Sequence, residues 1–295
     1  MARLTPKKRV LITGGSGDLG QVLSRQAVAA GHDVISTYLA RKERIVAGQP
    51  LQLDLCEKDA VKKALDETTP DVIIHTALAL GVPQPRQQIV AAAYHLSKLT
   101  PKDVRLIFLS TDMVFAGINA PYKDTDPPSP VTPYGQAKAE MEMMADHVVR
   151  TSLIYDFIAG NKQVDWMLEK ITRGEKCRLF TDELRSPIWV RNLADVLIEL
   201  MDSIFAGVLN VAGPKPMSRY DLGVGLLKVL GYEPARYAEA VTQAGSGRQP
   251  NLTLDVSKAK LLLKTPLLTF EEALAQWRSQ RTIPSAPPAK STPKS

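Results

Sequence analysis

The chain has 295 residues, 44% apolar and 23% charged, with a net charge of +6. That is ample for a packed core in one large domain or two modest ones, and no apolar run approaches the ~20 residues that cross a bilayer. Cys56 and Cys177 lie far apart and outside any CxxC spacing, which argues against a disulfide scaffold or a structural zinc and suits a reducing, cytoplasmic setting. The Lys and Arg residues are scattered instead of forming an aromatic-interleaved patch. An anionic small molecule therefore explains the charge at least as well as nucleic acid does.

The opening "MARLTPKKRVLITGG" is basic, but its apolar run is short and ends in glycines. It reads as the lead into a first strand, not as a signal peptide. "RVLITG" precedes a helical "DLGQVLSRQAVAAG" closed by Gly31, a helix-ending residue. "DVISTYL" and "LQLDL" read as strands, "EKDAVKKALDETTP" as a helix stopped by Pro70, and "DVIIHTA" as the next strand. "RQQIVAAAYHLSKL" is helical, and "VRLIFLST" is a strand. Val- and Ile-rich runs without alternation, separated by helices, imply a doubly wound α/β domain with a parallel sheet, whose ligand lies at the carboxyl ends of the strands.

In the second half, "YGQAKAEMEMMADH" (134–147) is helical and "VVRTSLIYDF" reads as one strand. "VDWMLEKITRGEK", "NLADVLIELMDS", "RYDLGVGLLKVLG" and "TFEEALAQWRSQ" are helical patterns, and "GVLNVAG" (207–213) is a strand. The end, "PSAPPAKSTPKS", has four Pro in 12 residues and is expected to be disordered. The organisation expected is residues 1–156 for a dinucleotide, rejoined by 187–213, then 157–282 for substrate, then a 283–295 tail.

Three stretches carry chemistry. "TGGSGDLG" (13–20) places glycines at GxxGxxG between a strand and a helix, where backbone N–H groups and the helix dipole receive a pyrophosphate. "YGQAK" sets Tyr134 and Lys138 four residues apart on one helix face, and a cation there favours the phenolate. "IFLSTDMVFAG" ends a buried strand on Ser110, Thr111 and Asp112. A hydroxyl at that end is offered to a ligand, and alternation turns Ser110 away. Asp112 fits a turn cap and a ligand contact equally.

These motifs resemble the extended short-chain dehydrogenase/reductase superfamily. "LSTDMVFAG", "YGQAKAEME" and "LFTDELRSPIWVRNLADVLIEL" are similar to its dTDP-4-dehydrorhamnose reductase branch, over about Arg9 to Trp277. The resemblance implies a Rossmann domain with a smaller C-terminal substrate-binding domain, and reduction of the C4 keto group of a nucleotide-linked 6-deoxysugar. It implies Thr111, Tyr134 and Lys138 as catalytic residues. For the cofactor it implies Gly14, Gly17, Asp18, Leu19, Gly20, Asp54, Leu55 and Ala77, together with Tyr134 and Lys138.

After the second strand, "STYLARKER" has no acid before Glu43 but offers Arg41 and Lys42. NADP(H) is therefore favoured, with NAD(H) left open. On the substrate side stand Thr111, Met113, Arg185, Arg219 and Arg248, the arginines suited to a diphosphate. The four His show no metal spacing, and His75 reads as a satisfied core histidine. No metal, nucleic-acid or membrane partner is expected, and a homodimer is left open.

Several positions depart from the branch. Met113 stands where a Tyr is common, Ala77 and Ala79 remain without the usual Asn–Ala–Ala run, and the segment from Ala77 to Ser110 is short. Two other readings stand beside the reductase: a nucleotide-sugar epimerase or dehydratase, and a non-catalytic NADP-binding subunit like the regulatory subunit of methionine adenosyltransferase.

Overall fold

In the computed structural model, which describes residues 6–78, 85–243, 245 and 247–282, strands and helices alternate through the first half. β1 (Arg9–Thr13), α1 (Asp18–Ala29), β2 (Asp33–Tyr38), β3 (Gln49–Gln52), α2 (Lys58–Thr68) and β4 (Val72–His75) come first. α3 (Pro85–Leu99), β5 (Arg105–Thr111), α4 (Pro133–Glu142) and β6 (His147–Thr151) follow. One-turn 3-10 helices stand at Lys42–Arg44 and Asp112–Val114. Beyond them run β7 (Ile154–Tyr155), α5 (Lys162–Thr172), β8 (Cys177–Phe180), β9 (Leu184–Arg185), β10 (Ile188–Trp189), α6 (Val190–Leu200) and β11 (Gly207–Asn210). β12 (Met217–Ser218), α7 (Arg219–Val229), α8 (Pro234–Tyr237), β13 (Ala238–Val241), α9 (Ser257–Leu262) and α10 (Phe270–Thr282) complete the order.

The doubly wound parallel sheet is present. Seven strands pair in the order β11-β6-β5-β4-β1-β2-β3, all parallel. The chain winds outward from β1 to β3, then returns beside β1 as β4 and winds the other way. The crevice opens where the winding reverses, beyond the carboxyl ends of β1 and β4. Side-chain alternation along β1 sends Val10 and Ile12 into a core shared with Leu23 of α1 and Leu193 and Leu197 of α6. Leu11 points to the opposite face, with Val61 of α2, Leu96 of α3 and Met141 of α4.

Among the boundaries that differ from the periodicity, two lie beside the polar contacts at the end of β5. α4 stops at Glu142 instead of continuing to His147, because His147 is already the first residue of β6, paired with Ile107 and Gly207, and the Glu142 side chain forms a buried ion pair with Arg150 (2.8 Å). "VVRTSLIYDF" forms two strands, β6 and β7, since Ser152 leaves the ladder to serve Asp112 and the Ser186 amide. The expected disorder of 283–295 and the position of Ala79 lie outside the described residues.

The Arg150 fork fastens several segments at once. It donates to both Glu142 oxygens and to the carbonyls of Asp124 and Asp126, and it lies over the Phe115 ring at 4.9 Å. Ser110 adds its hydroxyl to Glu142 at 2.5 Å. Removing one partner of such a pair strands a buried charge. Arg150→Met is expected to destabilise the fold by about 3–5 kcal/mol, read by urea unfolding, and Arg150→Met combined with Glu142→Leu to lose less than Arg150→Met alone.

Candidate active site

The glycine loop sits at the reversal point. Gly14 has φ +77°, and a Cβ there would lie 2.6 Å from the Ala77 Cα, so glycine is needed where this loop presses on the end of β4. The Gly14 amide donates to the Thr37 hydroxyl at 3.2 Å. Gly17 is the N-cap of α1, and no side chain among the described residues caps the helix. Its first amides and the positive dipole end are therefore left for an anion, so the loop suits a dinucleotide pyrophosphate.

Leu19 and Gly20 are buried in the first turn, while Asp18 makes a junction. Its carboxylate accepts from Arg44 at 3.0 Å and from the Lys162 amide at the start of α5 at 2.9 Å. Arg41 and Lys42 are exposed at the one-turn helix after β2, and Arg44 of that turn is the basic residue that reaches the loop. Asp54 accepts the Cys56 amide at 2.9 Å beyond β3, and Leu55 is buried beside it.

At the end of β5, Ser110 turns away to Glu142 while Thr111 stays on the crevice side. The Thr111 oxygen accepts the Met113 amide and its hydroxyl donates to Asp112, both at 3.2 Å. Met113 itself is partly buried against the core. α4 begins with Thr132 accepting the Gly135 amide at 3.1 Å and Pro133 in the first helical position. A Cβ on Gly135 would lie 2.1 Å from the Met113 carbonyl. Only glycine lets α4 approach the turn this closely, and that approach sets Tyr134 beside Thr111.

Burial holds the Tyr134 phenol well above its ordinary pKa. The Asp112 carboxylate adds to the rise and hydrogen bonding with Thr111 opposes it. The YxxxK spacing leads one to expect the reverse. Lys138 is buried and donates to the Leu109 carbonyl at 2.9 Å, and burial lowers its own pKa to about 8 against the pull of Glu142. His75 is a core histidine: its Nδ1 lies 2.8 Å from the Thr13 hydroxyl, and burial, then Lys138, push its pKa down to about 3. The site thus offers a protonated phenol, a hydroxyl and a lysine poised to titrate.

Three arginines chosen separately from the sequence meet around one carboxylate. Glu183, fully buried, accepts from Arg185 at 3.0 Å and from Arg248 at 2.6 Å. Arg185 also pairs with Asp112 at 3.1 Å. Glu183, Arg185, Arg248 and Asp112 all act on the charge of Arg219. No hydrogen bond or ion pair among the described residues engages the Arg219 guanidinium. Glu183, Ser152 and Arg44 were not legible as site residues, because Arg248, Asp112 and Asp18, which they meet, lie tens of positions away in the chain. Among the described residues no group of three or more His, Cys, Asp or Glu could hold a metal, and no helix is long and apolar enough to cross a membrane.

Residues 8–282 match the family model described as the RmlD substrate binding domain. The chain is 27% identical to a dTDP-4-dehydrorhamnose reductase of Mycolicibacterium smegmatis, covering 90% of this chain and 84% of that one. It is 26% identical to methionine adenosyltransferase 2 subunit beta of Danio rerio, over 92% and 90%. A solved dTDP-4-dehydrorhamnose reductase of Bacillus anthracis, in complex with NADP, superposes with a TM-score of 0.76 at 22% identity over 93% of this chain and all of that one, a likeness of fold. With one match running unbroken through the glycine loop, the Thr–Tyr–Lys group and the arginine cluster, the chain belongs to the RmlD substrate-binding-domain family of NAD(P)-dependent extended short-chain dehydrogenases/reductases.

Proposed function

We propose that the chain reduces the C4 keto group of a nucleotide-linked 6-deoxysugar with NADPH. The observation that carries this reading is the meeting of Thr111 and Tyr134 at the end of β5, with Lys138 one turn further along α4 and the phenol held in its acid form. A relative at 27% identity is named dTDP-4-dehydrorhamnose reductase, which supports the same reading. Residues 1–156 with 187–213 take the cofactor side, and 157–282 the sugar side.

When bound, the nicotinamide supplies a hydride to the carbonyl carbon. The chain's own residues do the rest. Gly14, Gly17, Gly20 and the first amides of α1 take the pyrophosphate, with Ala77 closing the crevice and Asp54 and Leu55 on the adenine side. Arg41, Lys42 and Arg44 suit a 2′-phosphate, which is the reason to prefer NADPH. Tyr134 gives its proton to the substrate oxygen and Thr111 donates a hydrogen bond to the same atom. Lys138 holds the nicotinamide ribose, and its charge steadies the phenolate left behind. Met113 borders the sugar. Arg219 and the exposed Arg248 meet the diphosphate, for which a guanidinium fork is suited.

The test follows NADPH absorbance as the purified chain meets dTDP-4-keto-6-deoxyglucose with a 3,5-epimerase supplied. NADPH should be consumed, and Tyr134→Phe should lower kcat by roughly 100-fold or more. Epimerised sugar without net NADPH loss would identify an epimerase. NADPH bound but never consumed would favour a regulatory subunit, a reading encouraged by the relative named methionine adenosyltransferase 2 subunit beta.

The rate should also fall as pH rises through about 8, where Lys138 loses its proton. Tyr134 stays protonated through that range, since its phenol is shifted upward. A kcat profile should therefore bend down near pH 8 in the parent, and this bend should be missing from the residual activity of Lys138→Met.

A further inference from the structure

Arg185 looks from the sequence like a diphosphate ligand, yet its guanidinium is committed inside the protein. It pairs with Asp112 Oδ2 at 3.1 Å, and its Nε and Nη2 donate to Glu183 Oε1 at 3.2 and 3.0 Å. It is 6% exposed. What it acts on is the neighbour of the proposed catalytic hydroxyl.

Asp112 Oδ2 takes Arg185 and also the Ser152 hydroxyl, at 2.5 Å. Among the described residues Oδ1 takes only the Thr111 hydroxyl, at 3.2 Å, longer than the usual 2.5–3.0 Å for an O–H···O bond. Thr111 has a single proton to give. Its oxygen already accepts the Met113 amide, so the direction of that proton is the freedom that remains. Asp112 competes for it with whatever lies on the Tyr134 side. An unpaired carboxylate would hold the proton firmly, because hydrogen bonds to an ionised acceptor are roughly twice as strong as neutral ones. A carboxylate already saturated at Oδ2 and countered by a buried guanidinium holds it loosely.

We propose that Arg185 is a positioning residue: by countering Asp112 it frees the Thr111 hydroxyl to turn from Asp112 to the substrate oxygen beside Tyr134. This rests on the reductase reading. Arg185 then touches no substrate. Glu183 keeps it in place, and the anion falls to Arg219. Its loss should appear in kcat and not in KM, and neutralising Asp112 should make Arg185 dispensable.

The experiment compares the parent with Arg185→Met, Arg185→Lys and the pair Arg185→Met/Asp112→Asn, following NADPH with the 4-keto sugar and checking each fold by thermal unfolding. Arg185→Met should lower kcat roughly ten-fold or more with KM within about two-fold. Arg185→Lys should retain most of the activity, and Asp112→Asn should restore most of what Arg185→Met loses. A raised KM at unchanged kcat would make Arg185 a substrate ligand and overturn the proposal, as would a folded double variant with no recovery. If Arg185→Met does not fold, the double variant against the parent decides: near-parental kcat supports the proposal and a large loss overturns it.

A parent that consumes no NADPH overturns the reductase reading instead. The hydroxyl arrangement is then read without turnover, from the ¹³Cζ resonance of Tyr134 in tyrosine-labelled protein, assigned with Tyr134→Phe. That resonance should move in Arg185→Met and return in the double variant. An unmoved resonance overturns the inference.

Discussion

The ion pair between Asp112 and Arg185 joins the turn after β5 to the second half of the chain. Asp112 belongs to the turn that ends β5, and Arg185 to β9 in the second half of the chain. Their 3.1 Å contact, with Ser152 between strands and Glu183 behind, is the polar seam by which the second half meets the carboxyl edge of the sheet. Such a pair gains little over apolar packing in net stability, because desolvating two charges offsets most of their attraction. Its value lies in fixing geometry. A carboxylate and an arginine that must find each other leave one register for the parts that carry them, and Asp112 is the neighbour of Thr111.

Burial, with Asp112 of this seam adding to it at Tyr134, sets the protonation of the site. A phenol removed from water and placed near Asp112 stays protonated, which is the form a reductase needs at the moment a carbonyl gains a hydride. Lys138 is tuned the opposite way, toward the neutral amine, by its own burial. Burial thus moves the two groups in opposite directions: it keeps the Tyr134 phenol protonated and brings Lys138 toward neutral pH. The cationic surplus of the arginine cluster is concentrated at Arg219, the guanidinium not engaged by hydrogen bonds within the described chain.

Much of the framework was legible because it rests on local pattern. Val- and Ile-rich runs between helices gave the parallel sheet, and GxxGxxG after a strand gave the helix N-terminus that faces the crevice. Gly135, next to Tyr134, carried a signal that could have been used: a glycine inside a helix costs stability unless a close approach requires it, and here the Met113 carbonyl does. The end of α4 was not legible because His147 is drawn into β6 by Ile107 and Gly207, both distant in the chain. The Tyr134 shift was missed for a related reason. Spacing showed the lysine four residues away but not the burial, nor the carboxylate brought in from β5. Arg44, Glu183 and Ser152 acquire their roles only when distant segments meet.

A crystal structure of the chain with NADP⁺ and dTDP tests the central claim most directly. The diphosphate should lie within hydrogen-bond reach of Arg219, about 2.7–3.2 Å, with Arg185 still on Asp112 and Glu183 and the open sugar pocket beside Thr111 and Tyr134. A diphosphate held by Arg185 with Asp112 released, or a nucleotide bound away from the end of β5, would contradict it.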